Sequence, residues 1–286
     1  AIKIARTYGE LNFEKKKYKI ITLENSFHGR TITTVKATGQ SSFHQSKFAP
    51  YPDGFSFNAI DDVYNAIDDE TVAVMIELVQ GEGGVFPFDK EKIKELAKFL
   101  KENDILLIID EVQTGVFRTG EFLASNLYEI EPDIITLAKG IGGGVPMGAV
   151  ITKHKDIWTA GDHGSTFGGN YLVTAAALEV LDILENLKDS GTLDETIIYF
   201  TKKLNDIFEA NRDIFITHVG LGLMRGLRVK DADTLASLIK TAFECGVMVL
   251  KSGNNTLRFL PALTISKSEI DEGFIRLQKA ITKIKS

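Results

Sequence analysis

The chain has 286 residues, of which 44% are hydrophobic and 25% charged, with a formal net charge of −6. That length fits one large domain plus a smaller one, and the composition suits a globular fold with a sizeable core. The mild, dispersed charge offers no footprint for nucleic acid or an anionic membrane, and no apolar run reaches the length of a membrane span.

The single cysteine, Cys245, excludes an intramolecular disulfide, so a cytoplasmic location is expected; Cys245 itself reads as a small buried apolar residue. Residues 1–6 read as a helix already under way, with no cap, leader or start methionine, so the sequence is expected to begin inside a longer protein. Lys19–Leu23 reads as a short strand, followed by a Gly/Ser/Thr-rich loop over 25–40. A buried strand is predicted over 72–79, ending in Gln80-Gly81-Glu82-Gly83-Gly84. A helix capped by Asp89 follows, with Ile93, Leu96, Ala97 and Leu100 on one face. Residues 105–109 form an apolar strand ending at Asp110-Glu111, and Ile134–Leu137 form another ending at Ala138-Lys139; Ala149–Thr152 is a further strand. Strands that are apolar on both faces and alternate with helices imply a mainly parallel α/β sheet covered by helices. Ligands gather at the carboxyl ends of such strands, and each polar cluster above lies at such an end.

A long apolar helix is predicted from Tyr171 to about Leu187, then a second boxed by Thr192 and Glu195. The pattern changes near Ile214. Strands over 214–219 and 223–229, a helix over 233–244, a hairpin around Asn254-Asn255 and a last helix boxed by Ser266 and Glu269 read as a smaller α+β domain. The expected division is therefore 1–213 and 214–286.

Asp110 and Lys139 together suggest pyridoxal phosphate chemistry. A lysine amine forms a Schiff base with the aldehyde, and a carboxylate keeps the pyridine nitrogen protonated so that the ring accepts electrons. Such a lysine must be partly deprotonated, which burial favours. Alone, Asp110 reads as a turn cap and Lys139 as a solvated loop lysine. The run Gly140-Ile141-Gly142-Gly143-Gly144-Val145-Pro146 weighs against those readings, because backbone without side chains can approach something bulky. Gly164-Ser165-Thr166-Phe167-Gly168-Gly169-Asn170 leads into the long helix and reads equally well as a phosphate site or as an ordinary capped helix start. His28 and His163 read as structural, Glu77 and Glu111 as braces of strand ends, and Trp158 as a core residue.

These segments, with Asn25-Ser26-Phe27-His28-Gly29-Arg30-Thr31, Ala37-Thr38-Gly39-Gln40, Asp110-Glu111-Val112-Gln113-Thr114-Gly115 and Leu257-Arg258-Phe259-Leu260-Pro261, occur in an order that resembles the class III (ω-amino-acid) aminotransferases, nearest to their acetylornithine branch. Leu78 and Tyr171 stand where that family often has proline. The resemblance implies fold type I and pyridoxal 5'-phosphate as cofactor, with no metal assigned. Lys139 would carry the cofactor and move the proton, and Asp110 would pair with the ring nitrogen. Gln113 would lie near the ring hydroxyl, Phe27 on the ring face, and Glu111, Val112 and His28 beside the cofactor. Thr166 would reach the phosphate held by a second subunit, which implies a homodimer with shared sites. Ser165 and Arg30 would contact the amino donor, Arg258 the α-carboxylate of 2-oxoglutarate or glutamate, and Glu82 would pair with Arg258 in alternation. The implied reaction is transamination of N-acetylornithine with 2-oxoglutarate, in arginine biosynthesis. Ornithine, succinylornithine, succinyl-diaminopimelate and γ-aminobutyrate are alternative donors, and a non-catalytic binding module is the alternative of another class. The resemblance further places a first phosphate loop and part of the small domain ahead of Ala1.

Overall fold

The computed structural model describes residues 1–285. In chain order the strands of the first half are β1 (Lys19–Leu23), β2 (Phe55–Asn58), β3 (Thr71–Ile76), β4 (Val79–Gln80), β5 (Phe86–Pro87), β6 (Leu106–Asp110), β7 (Ile134–Leu137) and β8 (Ala149–Thr152). Those of the second half are β9 (Phe215–Leu221), β10 (Met224–Val229), β11 (Leu250–Ser252) and β12 (Thr256–Phe259). The helices are α1 (Ile2–Leu11), α2 (Ile32–Ala37), α3 (Val63–Ala66), α4 (Lys90–Glu102), α5 (Ala124–Tyr128), α6 (Tyr171–Asp189), α7 (Thr192–Ala210), α8 (Ala232–Glu244) and α9 (Lys267–Lys285).

Contacts divide the chain into two compact units. The first comprises Ala1–Leu78, Phe88–Val116 and Leu123–Val180; the second comprises Val79–Pro87, Phe117–Phe122 and Leu181–Ser286. The first unit holds a six-stranded sheet in the order β2-β1-β3-β6-β7-β8. Its first five strands run parallel and β8 is antiparallel to β7 at the edge. All residues of β3 and β6 are buried, as expected of central strands covered on both faces. A core cluster ties the sheet to α1 through Ile4, Ala5, Ile20, Val72, Ile108 and Ile134, with Trp158 packed against it and donating Nε1–H to Thr7 Oγ1 at 3.2 Å. Asp89 caps α4 by accepting from the Lys92 N–H at 2.9 Å, and Ile93, Leu96 and Leu100 form its buried stripe.

The predicted strand over 72–79 is interrupted. Pairing with β6 ends at Ile76, and Val79–Gln80 turns away to form a two-stranded ladder with Phe86–Pro87. The second unit contains that ladder and an antiparallel sheet in the order β11-β12-β10-β9. The β11–β12 hairpin turns on Asn254 and Asn255, both left-handed at φ 51 and 50, a conformation asparagine tolerates. Ser266 and Glu269 form the expected capping box of α9, with Ser266 N–H to Glu269 Oε2 at 2.8 Å and Glu269 N–H to Ser266 Oγ at 3.2 Å. The box predicted at Thr192 and Glu195 does not form. Gly191, left-handed at φ 75, starts α7 in two residues from the end of α6, and Glu195 pairs instead with Lys267. Cys245 caps α8 and is half-buried rather than buried. Among the described residues no helix is long and apolar enough to cross a membrane.

Candidate active site

Asp110 closes β6, and Lys139 follows the last residues of β7. The two strands are adjacent and parallel, with Asp110 in register with Thr136, so both residues reach the same end of the sheet. Asp110 is buried, at 8% exposure. Its Oδ1 accepts from the Val112 N–H at 3.1 Å and from Thr136 Oγ1 at 3.0 Å, and its Oδ2 lies 2.8 Å from His28 Nδ1. An ionised carboxylate can only accept, so His28 Nδ1 carries the proton of that bond. Burial pushes the Asp110 carboxyl up, but His28, the Val112 N–H and the Thr136 hydroxyl outweigh it, and the net direction is below the ordinary carboxylate value.

His28, read from the sequence as structural, has a partner outside its loop. Its imidazole does not simply pack within its own loop; the side chain is 1% exposed and reaches across to the β6 end. The loop that carries it is fixed at both neighbouring backbone amides: Phe27 N–H donates to Glu77 Oε2 at 2.9 Å and His28 N–H to Thr38 Oγ1 at 3.0 Å. Glu77 thus braces the Phe27 turn. Glu111 braces another, its carboxylate accepting from Ala124 N–H at 2.7 Å, Ser125 N–H at 2.8 Å and Thr114 Oγ1 at 3.0 Å. Burial pushes the Glu111 carboxyl up. These bonds turn its side chain toward the start of α5, so of the pair Asp110-Glu111 the structure leaves Asp110 facing the strand-end loops.

Lys139 opens a short 3-10 turn, Lys139–Gly142, with left-handed φ of 51. It is exposed, not buried, because the turn carries it past the covered part of β7. Gln113 lies half-buried on the loop after β6. Arg30 is exposed, its guanidinium 4.9 Å from the Phe43 ring centroid and 5.5 Å from that of Phe27. Ser165 and Thr166 are exposed, and Ser165 Oγ accepts from the Gly168 N–H at 3.0 Å. Asn170 Oδ1 already accepts from the Leu172 and Val173 N–H groups at 3.0 and 3.2 Å. The start of α6 is therefore a capped helix terminus, and any phosphate contact here falls to the Ser165 and Thr166 hydroxyls rather than to those amides. His163 stacks on Trp158 at 5.0 Å, a structural contact.

Within the second unit, Arg258 of β12 is 7% exposed and donates from Nη1 to Glu82 Oε1 at 2.7 Å and to Gly81 O at 3.0 Å. The glycine loop that carries Glu82 is clasped to the β11–β12 hairpin. Ser252 Oγ donates to Gly81 O at 2.7 Å and accepts from Gly84 N–H at 2.9 Å, and Asn254 Nδ2 donates to Gly83 O at 3.0 Å. A Cβ on Gly253 would sit 2.9 Å from Glu82 O, so the two backbones approach as only glycine permits.

The sequence did not single out Thr136, Phe43 or Ser252, and marked Asn254 only as a hairpin turn. Thr136 was detectable as the one polar residue in Ile134-Ile135-Thr136-Leu137; the others depend on partners distant in sequence.

The family model of the class-III aminotransferases matches residues 1–281. The acetylornithine aminotransferase of Wolinella succinogenes is 56% identical over 99% of this chain and 72% of its own length. The succinylornithine transaminase of Salmonella paratyphi B is 41% identical, over all of this chain and 71% of its own. A crystal structure of the Toxoplasma gondii ornithine aminotransferase, with pyridoxal phosphate partly occupying its active site, superposes with a TM-score of 0.90 at 30% identity, covering 99% of this chain and 69% of that one. A full-length family match, together with a buried carboxylate and a lysine on neighbouring strand ends, places the chain among the class-III aminotransferases, which are pyridoxal-phosphate-dependent enzymes.

Proposed function

We propose that the chain moves an amino group from N-acetylornithine to 2-oxoglutarate, giving N-acetylglutamate semialdehyde and glutamate, as a step of arginine biosynthesis in the cytoplasm. The observation that carries the chemistry is the placement of Asp110 at the end of β6 and of Lys139 in the turn just after β7, the adjacent parallel strand. The relatives named acetylornithine aminotransferase, at 42–56% identity, support the donor.

Pyridoxal phosphate fits this strand end, because a buried carboxylate kept ionised by three donors is the partner a protonated pyridine nitrogen needs. When bound, the cofactor supplies an electron sink and a temporary seat for the amino group. Asp110 holds the proton on the ring nitrogen. Lys139 Nζ takes the proton from the donor carbon that bears the amine and later returns one to the carbon that receives it. Phe27 would lie against the cofactor and Gln113 would offer it a hydrogen bond, while Val112 and Glu111 would shape the loop that holds it. His28 keeps Asp110 aimed. Arg30 receives the donor's carboxylate in the bidentate geometry that guanidinium favours, with Ser165 beside it. Arg258 takes the α-carboxylate of 2-oxoglutarate or glutamate, and Glu82 neutralises it otherwise; the observed 2.7 Å pair supports that alternation. Thr166 serves the cofactor phosphate of a second copy in a homodimer, a reading supported by the exposure of Phe167 at 80% and Tyr171 at 95%.

The second reading is an N-succinylornithine preference, favoured by the 41%-identical relative of that name. Comparing kcat/KM for N-acetylornithine, N-succinylornithine and free ornithine, each with 2-oxoglutarate, tests the assignment. N-acetylornithine is expected to rank first, and a preference for free ornithine overturns it.

A further inference from the structure

We infer that Phe43 is a positioning residue for Arg30, holding the guanidinium in the orientation in which it takes the amino donor's carboxylate. This rests on the donor-binding role of Arg30 proposed above.

Arg30 is exposed, and no hydrogen bond or ion pair to its side chain occurs among the described residues. A long, flexible side chain in that setting would sample many rotamers, and each would have to be given up on binding. Two aromatic rings restrain it instead. Its guanidinium lies 4.9 Å from the Phe43 centroid and 5.5 Å from the Phe27 centroid, and the rings meet edge to face at 5.3 Å and 61°. A ring face attracts a guanidinium held over it, and a guanidinium held by its face keeps its N–H edge available for a carboxylate bound by two parallel bonds.

The slot is built rather than incidental. Gly29, at φ 130, has no room for a side chain, since a Cβ there would lie 2.7 Å from Thr34 Oγ1. Directly after Arg30, the Thr31 N–H donates to Thr34 Oγ1 at 3.0 Å and starts α2, so the Arg30 backbone is fixed on both sides. Phe43 sits on a short turn whose Phe43 N–H donates to Gln40 O at 3.1 Å. The Gln40 amide in turn donates to Asn25 O and Ser26 O, at 3.2 Å each, which ties the Phe43 turn to the segment leading into Phe27. Two loop segments are thereby held so that their rings converge on one cation.

The test is a half-reaction of the holoenzyme with N-acetylornithine, followed by the change in cofactor absorbance, which separates apparent donor Kd from limiting rate. Phe43→Leu is expected to weaken donor binding about five- to tenfold while the limiting rate and the resting absorbance stay within about twofold, and Phe43→Tyr, which keeps the ring face, to stay within about twofold of the parent in all three. Arg30→Ala, run beside them, is expected to weaken donor binding about a hundredfold. If Arg30→Ala weakens binding and Phe43→Leu does not, the positioning role falls and the Arg30 reading stands. If Arg30→Ala binds like the parent, the donor reading itself falls and this inference with it. Equal loss in Phe43→Leu and Phe43→Tyr, or an altered resting absorbance in either, assigns Phe43 to general loop packing and overturns the proposal. Phe43→Met gives the same comparison where circular dichroism shows the leucine variant to be unfolded.

Discussion

The two units hold their key charges by opposite means. Asp110 is buried on a central strand and receives three donors, one from the loop after β6, one from Thr136 on the neighbouring strand β7 and one from an imidazole that is itself 1% exposed. Arg258 is equally buried on a strand, but the carboxylate paired with it, Glu82, sits on a glycine-rich loop and keeps 34% of its side chain in solvent. A charge that must stay constant through a reaction is best surrounded by fixed dipoles, because their reorganisation is complete before the chemistry starts. A charge that must trade partners needs a counter-ion that water can reach, since breaking a fully buried pair is too costly.

The contrast can be broken most forcefully at Asp110. Asp110→Asn preserves shape and removes the anion, and kcat is expected to fall about a thousandfold in steady-state assays; a loss under tenfold would show that the fixed charge is dispensable. The next largest effect is expected at Arg258. Arg258→Lys keeps the charge but loses the planar fork, so KM for 2-oxoglutarate should rise about thirtyfold while the half-reaction with N-acetylornithine stays nearly unchanged. Equal damage to both halves would mean that Arg258 is not exchanging partners. The smallest effect sharpens the Asp110 side. Its folded pKa is depressed, so the carboxylate's contribution is fully present above the ordinary carboxyl value and is lost as pH falls through the lowered folded one. His28→Phe removes one of the groups that lower it. The acid midpoint for cofactor release, followed by absorbance on titration below neutrality, should therefore move up. An unchanged midpoint would leave His28 a packing residue.

Much of this was legible in the sequence. The central strands are apolar on both faces, so β6 and β7 and the polar residues ending them stood out, and Asp89 and Ser266 marked helix starts that formed as expected. The break after Ile76 was hidden, because Val79 continues the apolar run and only tertiary pairing with Phe86–Pro87 draws it away. Thr192 looked like a cap, yet a left-handed glycine one residue earlier set the helix start instead. The Glu82–Arg258 pair was foreseen from the family resemblance, whereas the partners of His28 and Arg30 were obscured for a shared reason. Each is chosen by loops that meet only after the sheet has formed, and local spacing carries no record of such meetings.

The left-handed backbone at Lys139 has a further consequence. An L residue held there is strained by about 1–2 kcal/mol, and glycine would occupy the position at ease. The chain therefore keeps the amine proposed above to carry the cofactor at a place where the backbone alone would favour having no side chain at all. On the proposed role of Lys139, sequence drift toward local comfort at this position and loss of catalysis are the same event, so a screen that selects variants of this protein for melting temperature alone is expected to select against that chemistry.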